Sequence, residues 1–207
     1  MALQILYLTA KVTHSCDNGI DLGFILDSSG SLARDYNKEK QFLKSVAEKF
    51  QISEDGLRAG VITFSSRTEH SIRLNDHFDT ASFNAAVDAI PLFGRQTRID
   101  LALRLAQKEL FREENGARSD RPNVLILLTD GQQTAGFEDP RFPAEEIRAA
   151  GIRLLVIGIG KGVNGDDLRD IAGHDRNVFT VSTFNDLNDN YFIEQLQRAS
   201  CAEKTGK

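Results

Sequence analysis

The chain has 207 residues, of which 41% are apolar and 27% are charged. These fractions are typical of an ordinary globular domain and exclude a disordered chain, a collagen-like repeat and a small disulfide-dense scaffold. With 25 basic and 30 acidic side chains the net charge is −5, so neither a nucleic acid nor an anionic membrane is indicated as partner. We expect no membrane span, because no apolar run approaches the roughly 20 residues that a bilayer requires.

The first ten residues are mostly apolar, but they lack the basic start and the small-residue cleavage site of a secretory signal. A truncated signal and a packed or disordered tail therefore both remain open. The length suits one sizeable core. We expect a single domain over residues 16–201, flanked by tails at 1–15 and 202–207.

Apolar runs along the chain predict six β-strands, and the longer ones are almost continuously apolar, as expected of strands buried on both faces. The second and third runs are separated by only a tight turn, which predicts an antiparallel hairpin at a sheet edge. The predicted strands are 22–26, 57–64, 71–74, 124–128, 154–159 and 178–181.

Between the strands, apolar residues recur at helical spacing and predict six helices. Asp186 is expected in the first turn of the last helix, where the helix dipole favours a negative charge. The alternation predicts a doubly wound α/β domain: a mostly parallel six-stranded sheet with one antiparallel edge strand and helices on both faces. The predicted helices are 37–50, 80–90, 99–111, 143–150, 165–172 and 185–198.

The two cysteines lie at opposite ends of the predicted domain, Cys16 before the first strand and Cys201 after the last helix. The termini of a compact domain are often close in space, so a disulfide bond that closes nearly the whole domain is reasonable. Two reduced thiols, as in a cytosolic protein, are the alternative. We favour the disulfide bond and, with it, an extracellular location.

Polar oxygen donors follow the first strand, at the sheet edge where doubly wound folds bind ligands. Asp27 is followed by Ser29 and Ser31, and Gly30 allows a tight loop. Hard oxygen donors with few charges suit Mg²⁺ or Mn²⁺. Helix capping by the serines beside an exposed acid explains the same five residues equally well.

Two further segments favour the metal. Asp130 directly follows the strand 124–128 and Thr129, and Thr97 lies in a loop just before the helix that starts near residue 99. Three loops at strand ends thus offer oxygen donors to a common point. The predicted metal ligands are Asp27, Ser29, Ser31, Thr97 and Asp130.

These segments resemble a von Willebrand factor type A domain, the fold shared by integrin inserted domains, matrilins and collagen VI. The similarity rests on DLGFILDSSGS at 21–31, Thr97 within GRQTRIDLAL, LILLTDG at 125–131 and LLVIGIG at 154–160. It extends over about residues 20–200 in the family's order and spacing, and all five positions of the metal-ion-dependent adhesion site are filled.

The resemblance implies a site in which a bound Mg²⁺, or Mn²⁺ or Ca²⁺ in its place, keeps one position open for a carboxylate of a partner protein. It also implies that movement of the loop carrying Thr97 is coupled to sliding of the C-terminal helix. A bond between Cys16 and Cys201 would restrain that slide, so we expect a weakly switching or constitutive binder.

The loops around the metal are expected to select the partner. We predict ligand contacts by Arg34, Arg95, Arg98 and Gln132, although surface arginines are usually only solvated. The leading interpretation is a secreted, extracellular adhesion module that binds a matrix protein, with collagen as the first candidate. A structural matrix component that self-associates and an intracellular scaffold of the same family are the alternatives.

Catalysis is not expected. No residue pattern marks any of the four histidines as a base for a serine nucleophile at Ser29. Position 29 is a serine where aspartate-phosphate hydrolases carry a second aspartate. The glycine-rich stretch 158–162 follows the fifth strand and lacks the spacing of a phosphate-binding loop, so we interpret it as a turn.

Overall fold

The computed structural model describes residues 16, 19–94, 96–131 and 138–201, so both predicted tails lie outside the described residues. Within that part of the chain, six strands form one sheet: β1 (Ile20–Asp27), β2 (Leu57–Phe64), β3 (Thr68–Ile72), β4 (Asn123–Thr129), β5 (Arg153–Ile159) and β6 (Val178–Val181). Their order across the sheet is β3-β2-β1-β4-β5-β6. All neighbours are parallel except β2 and β3, which confirms the predicted fold class.

Helices cover both faces of the sheet, and each face has its own apolar core. On one face α1 (Tyr36–Phe50), α2 (Thr80–Ala89) and α6 (Asn190–Cys201) pack against the strands. On the other lie α3 (Ile99–Leu105), α4 (Arg141–Ala149) and α5 (Gly165–Ala172). None of the helices in the described ranges is long and apolar enough to cross a membrane.

The edge strand begins earlier than predicted. β3 starts at Thr68, which pairs with Phe64 across the turn, and it ends at Ile72 rather than at residue 74. The backbone N–H of Arg73 donates to the Asp76 carboxylate at 2.7 Å, which starts a turn there. Leu74 is buried, so its apolar character reflects core packing after the strand has ended.

The helix predicted over 99–111 is regular only as far as Leu105, and a π-helical turn follows over Ala106–Leu110. In this wider turn, Leu110 lies very close to the strands of the sheet. A Cβ atom added to Gly23 or Gly60 would lie 2.4 or 2.7 Å from Leu110. Glycines at these two positions therefore let the helix end settle directly on the strands.

The predicted start of the last helix was wrong. Residues Asp186–Asn188 form a separate short helix, and α6 begins at Asn190. Asp189 caps α6, because its carboxylate accepts from the backbone N–H of Phe192 at 3.1 Å. Asp186 instead accepts from the backbone N–H of Thr183 at 2.8 Å.

A disulfide bond and several hydrogen bonds stabilise the amino edge of the sheet. Cys16 and Cys201 form a disulfide bond, with their Cα atoms 5.0 Å apart, as predicted. Near it the Asp21 carboxylate accepts from the backbone N–H and the Nε of Arg118, at 2.6 and 2.8 Å. Arg118 also donates to the carbonyls of Ile20, Glu54, Asp55 and Gly56.

Candidate functional site

The order of the strands reverses between β1 and β4, which lie side by side although the chain first passes through β2 and β3. Doubly wound sheets bind ligands at such a point, beyond the carboxyl ends of the strands. Asp27 is the last residue of β1, and Asp130 directly follows Thr129, the last residue of β4. The two predicted carboxylate ligands thus follow adjacent strands at the same edge.

The Asp27 carboxylate is buried and only half satisfied. Its side chain is 0% exposed, and Oδ1 accepts from the backbone N–H of Ser29 at 2.8 Å. Its other oxygen, Oδ2, has no hydrogen-bond partner among the described residues. A buried carboxylate oxygen without a partner is costly, so this position favours a cation from outside the chain.

The two predicted serine ligands lie together. The hydroxyls of Ser29 and Ser31 are 3.0 Å apart. Ser29 precedes a short helix over Gly30–Arg34, but its side chain accepts no capping hydrogen bond there. The Ser29 hydroxyl therefore does not cap this helix, which was the alternative role that the sequence allowed.

The protonation of Asp27 reflects this environment. Burial raises the pKa of the Asp27 carboxyl to about 7, against the effect of the hydrogen bonds from Ser29, and the nearby charge of Asp130 adds to the increase. Asp130 is therefore close enough for its charge to disfavour the charge on Asp27. A divalent cation between two such carboxylates would reverse this effect.

Hydrogen bonds hold the loop that carries Thr97 against the first loop. The backbone N–H of Phe93 donates to Ser28 Oγ at 2.7 Å, and that of Gly94 donates to the Ser28 carbonyl at 2.9 Å. Ser28 lies between Asp27 and Ser29. Thr97 itself is 6% exposed, at the point where the loop enters α3.

The loop after β4 begins with a tight local turn. Thr129 Oγ1 donates to the carbonyl of Gly131 at 2.8 Å, which leaves Asp130 between them, half-buried at the carboxyl edge. The residues that follow, 132–137, lie outside the described residues.

The donors present fit a hard divalent cation. They combine a half-satisfied buried carboxylate, a second carboxylate and neutral hydroxyls, which is the oxygen chemistry that Mg²⁺ and Mn²⁺ prefer. Among the described residues, no group of three or more His, Cys, Asp or Glu side chains could hold a metal. Among the described residues, a cation at this edge would therefore depend on the hydroxyls as well as on the two carboxylates.

The four residues predicted to contact a partner differ in their surroundings. Arg34 is exposed beside the first loop. Arg98 forms a bidentate ion pair with Asp100, in which both nitrogen–oxygen distances are 2.8 Å, so its guanidinium is already engaged by the chain itself. Arg95 and Gln132 lie outside the described residues.

The structure adds a buried acid that the sequence reasoning missed. Glu39 on α1 is 0% exposed, and neither of its carboxylate oxygens has a hydrogen-bond partner in the described ranges. Burial raises the pKa of Glu39 well above its usual value, and the charges of Asp27, Asp130 and Asp35 add to this. The signal available was that Glu39 lies at helical spacing with the apolar residues Phe42, Leu43 and Val46 of the buried face of α1.

Three residues just after β2 were also missed. Ser65, Ser66 and Arg67 follow Phe64 at the same edge of the sheet as Asp27 and Asp130. The backbone N–H of Ser28 donates to the Phe64 carbonyl at 2.7 Å, which ties the end of β2 to the first loop. Their position after a parallel strand could have identified them.

Fold and site together define a doubly wound α/β domain with a candidate cation site at its switch point. Comparison with known proteins identifies the family of the domain. The family model of the von Willebrand factor type A domain matches residues 21–193. The chain therefore belongs to this family, as its motifs predicted.

Relatives in the family include large multidomain proteins. The chain is 31% identical over 172 residues to the collagen alpha-5(VI) chain of Homo sapiens, a match that covers 83% of this chain and 6% of that protein. It is 33% identical over 177 residues to matrilin-3 of Gallus gallus, covering 82% of this chain and 38% of matrilin-3. The chain thus spans well under half the length of these relatives.

A solved structure resembles the domain closely and carries a metal. Proximal thread matrix protein 1 from the mussel byssus, with a zinc-occupied MIDAS motif, superposes with a TM-score of 0.81 at 30% identity. The match covers 91% of this chain and 47% of that one. A protein of the same fold therefore binds a divalent metal, zinc, at its metal-ion-dependent adhesion site (MIDAS).

Proposed function

We propose that this protein is an extracellular adhesion module that binds a partner protein through a divalent cation held at the carboxyl edge of its sheet. The observation that carries the proposal is the buried Asp27 carboxylate, whose Oδ2 has no partner within the described chain. The proposed ligands are Asp27, Ser29, Ser31, Thr97 and Asp130. The proposed ion is Mg²⁺, since the donors are hard oxygens.

Each residue has a separate part in this proposal. Asp27 supplies the anchoring charge, and its Oδ1 is oriented by the backbone of Ser29. The neighbouring hydroxyls of Ser29 and Ser31 supply neutral donors from the same loop. When bound, the ion would offer an open coordination position to a carboxylate of the partner, because few protein charges neutralise it.

The relatives support a role in binding rather than in catalysis. They are collagen and matrilin chains and a byssal thread matrix protein. The Cys16–Cys201 disulfide bond supports an oxidising, extracellular location. A matrix protein is therefore the proposed partner class, and collagen is the first candidate within it.

Calorimetric titration with MgCl₂ and MnCl₂ tests the metal site. We expect saturable binding to the wild-type protein and a loss of binding in Asp27→Asn. Asp55→Asn is the matched control, because Asp55 is exposed just before β2, at the opposite edge of the sheet. Equal metal affinity in the wild type and Asp27→Asn would refute the assignment of the site.

Solid-phase binding tests the partner class. Fibrillar and network collagens, laminin and fibronectin would be presented to the wild-type protein in Mg²⁺ and in chelator, and to Asp27→Asn in Mg²⁺. Binding that requires both Mg²⁺ and Asp27 supports a metal-bridged contact. Binding that is indifferent to both would place the contact elsewhere on the domain.

The similarity to a thread matrix protein favours one second candidate, a structural component that self-associates through this domain. Light scattering over a range of protein concentrations separates the two. Reversible association of the purified protein, with no binding across the panel of matrix proteins, would favour assembly over adhesion.

A further inference from the structure

A second polar pocket borders the candidate metal site. It has a volume of about 240 Å³ and is lined by Ser65, Ser66, Arg67 and Phe93. The serines and the arginine belong to the turn between β2 and β3, and Phe93 belongs to the loop before Thr97. None of these four residues is among the proposed metal ligands.

Direct hydrogen bonds connect this pocket to the metal site through Ser28. The backbone N–H of Phe93 donates to Ser28 Oγ, and the backbone N–H of Ser28 donates to the carbonyl of Phe64, immediately before Ser65. Ser28 is flanked in sequence by the proposed ligands Asp27 and Ser29. A single extended segment of a partner could therefore reach both places.

One residue that lines the pocket, Ser65, has a buried hydroxyl without a partner in the described chain. Ser65 is 1% exposed, and its Oγ has no hydrogen-bond partner among the residues that the structure describes. Buried polar atoms in folded proteins nearly always have a hydrogen-bond partner. An oxygen-bearing ligand that enters the pocket would supply one for Ser65 Oγ. The backbone of the turn is itself ordered by a bond from the Ser65 N–H to the Arg67 carbonyl at 2.8 Å.

Arg67 contributes a positive charge to the lining of the pocket. Its guanidinium carbon lies 4.8 Å from the centre of the Phe93 ring, a stacking contact that orients the group. A guanidinium has five N–H donors in a planar fork that matches the two oxygens of a carboxylate. The pocket thus combines a cation and two hydroxyl groups, which is the chemistry of an acidic ligand.

We propose that this pocket receives a second carboxylate of the same partner polypeptide whose first carboxylate completes the metal site. The inference rests on the proposed metal-bridged function and names a feature of the partner: two acidic side chains close together in sequence. Side chains two residues apart in an extended chain point to the same side about 7 Å apart, so adjacent subsites suit a short acidic motif.

Small synthetic peptides test the inference. The probes are acetylated, amidated peptides with two glutamates separated by zero, one or two glycines, each paired with an analogue in which the second glutamate is glutamine. Binding in Mg²⁺ is followed by NMR titration of the ¹⁵N-labelled protein. At one spacing we expect the diacid to bind about tenfold more tightly than its analogue, with shifts at residues 65–67.

Three variants show whether the preference comes from the pocket. We expect Arg67→Ala and Ser65→Ala to lose the diacid preference while they still bind the single-glutamate analogue. Arg73→Ala should keep the preference. Arg73 is likewise exposed and lies beyond the far end of β3, so this control makes the same change in charge. Because Ser65 Oγ has no partner among the described residues, its removal should not lower the unfolding temperature.

The outcomes separate the two proposals. Binding of the single-glutamate analogue that depends on Mg²⁺ and Asp27, without any diacid preference, would overturn the pocket and leave the metal-bridged function standing. A preference that survives in Arg67→Ala would also overturn it. Failure of every peptide to bind in a Mg²⁺-dependent manner would overturn the proposed function and, with it, the inference.

Discussion

Two aspartates on β1 lie six positions apart and illustrate opposite uses of a buried charge. Asp21 and Asp27 are both 0% exposed. Asp21, at the amino edge, accepts hydrogen bonds on both oxygens from Arg118. Asp27, at the carboxyl edge, accepts one from Ser29 and leaves Oδ2 without a partner in the described structure.

The two aspartates differ in the source of the cation that compensates their charge. A cation from the chain itself serves stability, whereas a cation from outside serves function. A buried carboxylate stays charged only when a positive charge or enough donors accompany it. For Asp21 the chain itself provides the cation, Arg118, which also donates to backbone carbonyls of β1 and of the loop before β2. For Asp27 the described chain provides none, so we infer that the carboxyl edge is completed by a metal.

The largest expected effect comes from removing the internal cation. Arg118→Met removes the guanidinium and leaves the buried Asp21 carboxylate with only the backbone N–H of residue 118 as donor, so the free energy of unfolding should fall by about 3–5 kcal/mol. Urea denaturation measures the loss. Arg112→Met is the matched control, since Arg112 forms ion pairs with Glu109 and Glu114 at an exposed position and should cost less than about 1 kcal/mol. Equal losses in the two variants would contradict the comparison.

The pH dependence of the metal-free protein tests the environment of Asp27 next. The pKa of Asp27 rises from 3.8 to about 7 on folding, so the folded state holds more protons than the unfolded state between these values. The contribution of Asp27 to stability therefore decreases as pH rises from about 4 to 7, by up to about 4 kcal/mol. Urea denaturation in chelator across this range should show a shallower decrease in Asp27→Asn. An unchanged slope would contradict the raised pKa.

A smaller effect, a gain in the free energy of unfolding, is expected on replacing Glu39. Glu39→Met replaces a buried carboxyl, without a partner among the described residues, by an apolar side chain of similar length. The free energy of unfolding in chelator should increase by about 1–3 kcal/mol. Glu48→Met, at an exposed position on the same helix, is the control. A loss of stability in Glu39→Met would show that Glu39 is paired in solution.

The smallest expected effect concerns the disulfide bond at the amino edge of the sheet and its influence on the candidate metal site at the carboxyl edge. α6 ends at Cys201, which is bonded to Cys16, and we expect this bond to restrain any sliding of the helix. Removing it in the double variant Cys16→Ser/Cys201→Ser should change the affinity for a metal-dependent ligand by about fivefold, a modest coupling between sites. The affinity is compared with that of the oxidised wild type, well below both unfolding temperatures. Unchanged affinity would contradict the restraint.

Much of the fold could be predicted because its signals are local. Strands buried on both faces must be nearly continuous in apolar residues, and β4 and β5 show this directly. The start of α6 could not be predicted in the same way. Asp186 and Asp189 are both suitable caps in sequence, and only the tertiary position of the chain decides that Asp189 is used. The π-helical turn likewise depends on Leu110 contacting Gly23 and Gly60.

The candidate site was predictable to the extent that its donors follow parallel strands, whose carboxyl ends must share one edge. Asp27 and Asp130 satisfied that rule, and Ser65 and Arg67 satisfied it too but carried no motif. The pairing of Asp21 with Arg118 spans 97 residues, so no local pattern could indicate it. Sequence spacing alone also could not show that Arg98 is engaged by Asp100.

The most direct test of the comparison is the thermal unfolding of the wild type and Asp27→Asn, each in chelator and in Mg²⁺ at about 100 times its dissociation constant. Mg²⁺ should stabilise the wild type by about 2.7 kcal/mol, which corresponds to a rise in Tm of about 5–10 °C for a domain of this size. Asp27→Asn should not respond to Mg²⁺, and in chelator it should be at least as stable as the wild type. A wild-type Tm indifferent to Mg²⁺, or a metal-free Asp27→Asn clearly less stable than the metal-free wild type, would show that Asp27 is satisfied within the chain, as Asp21 is.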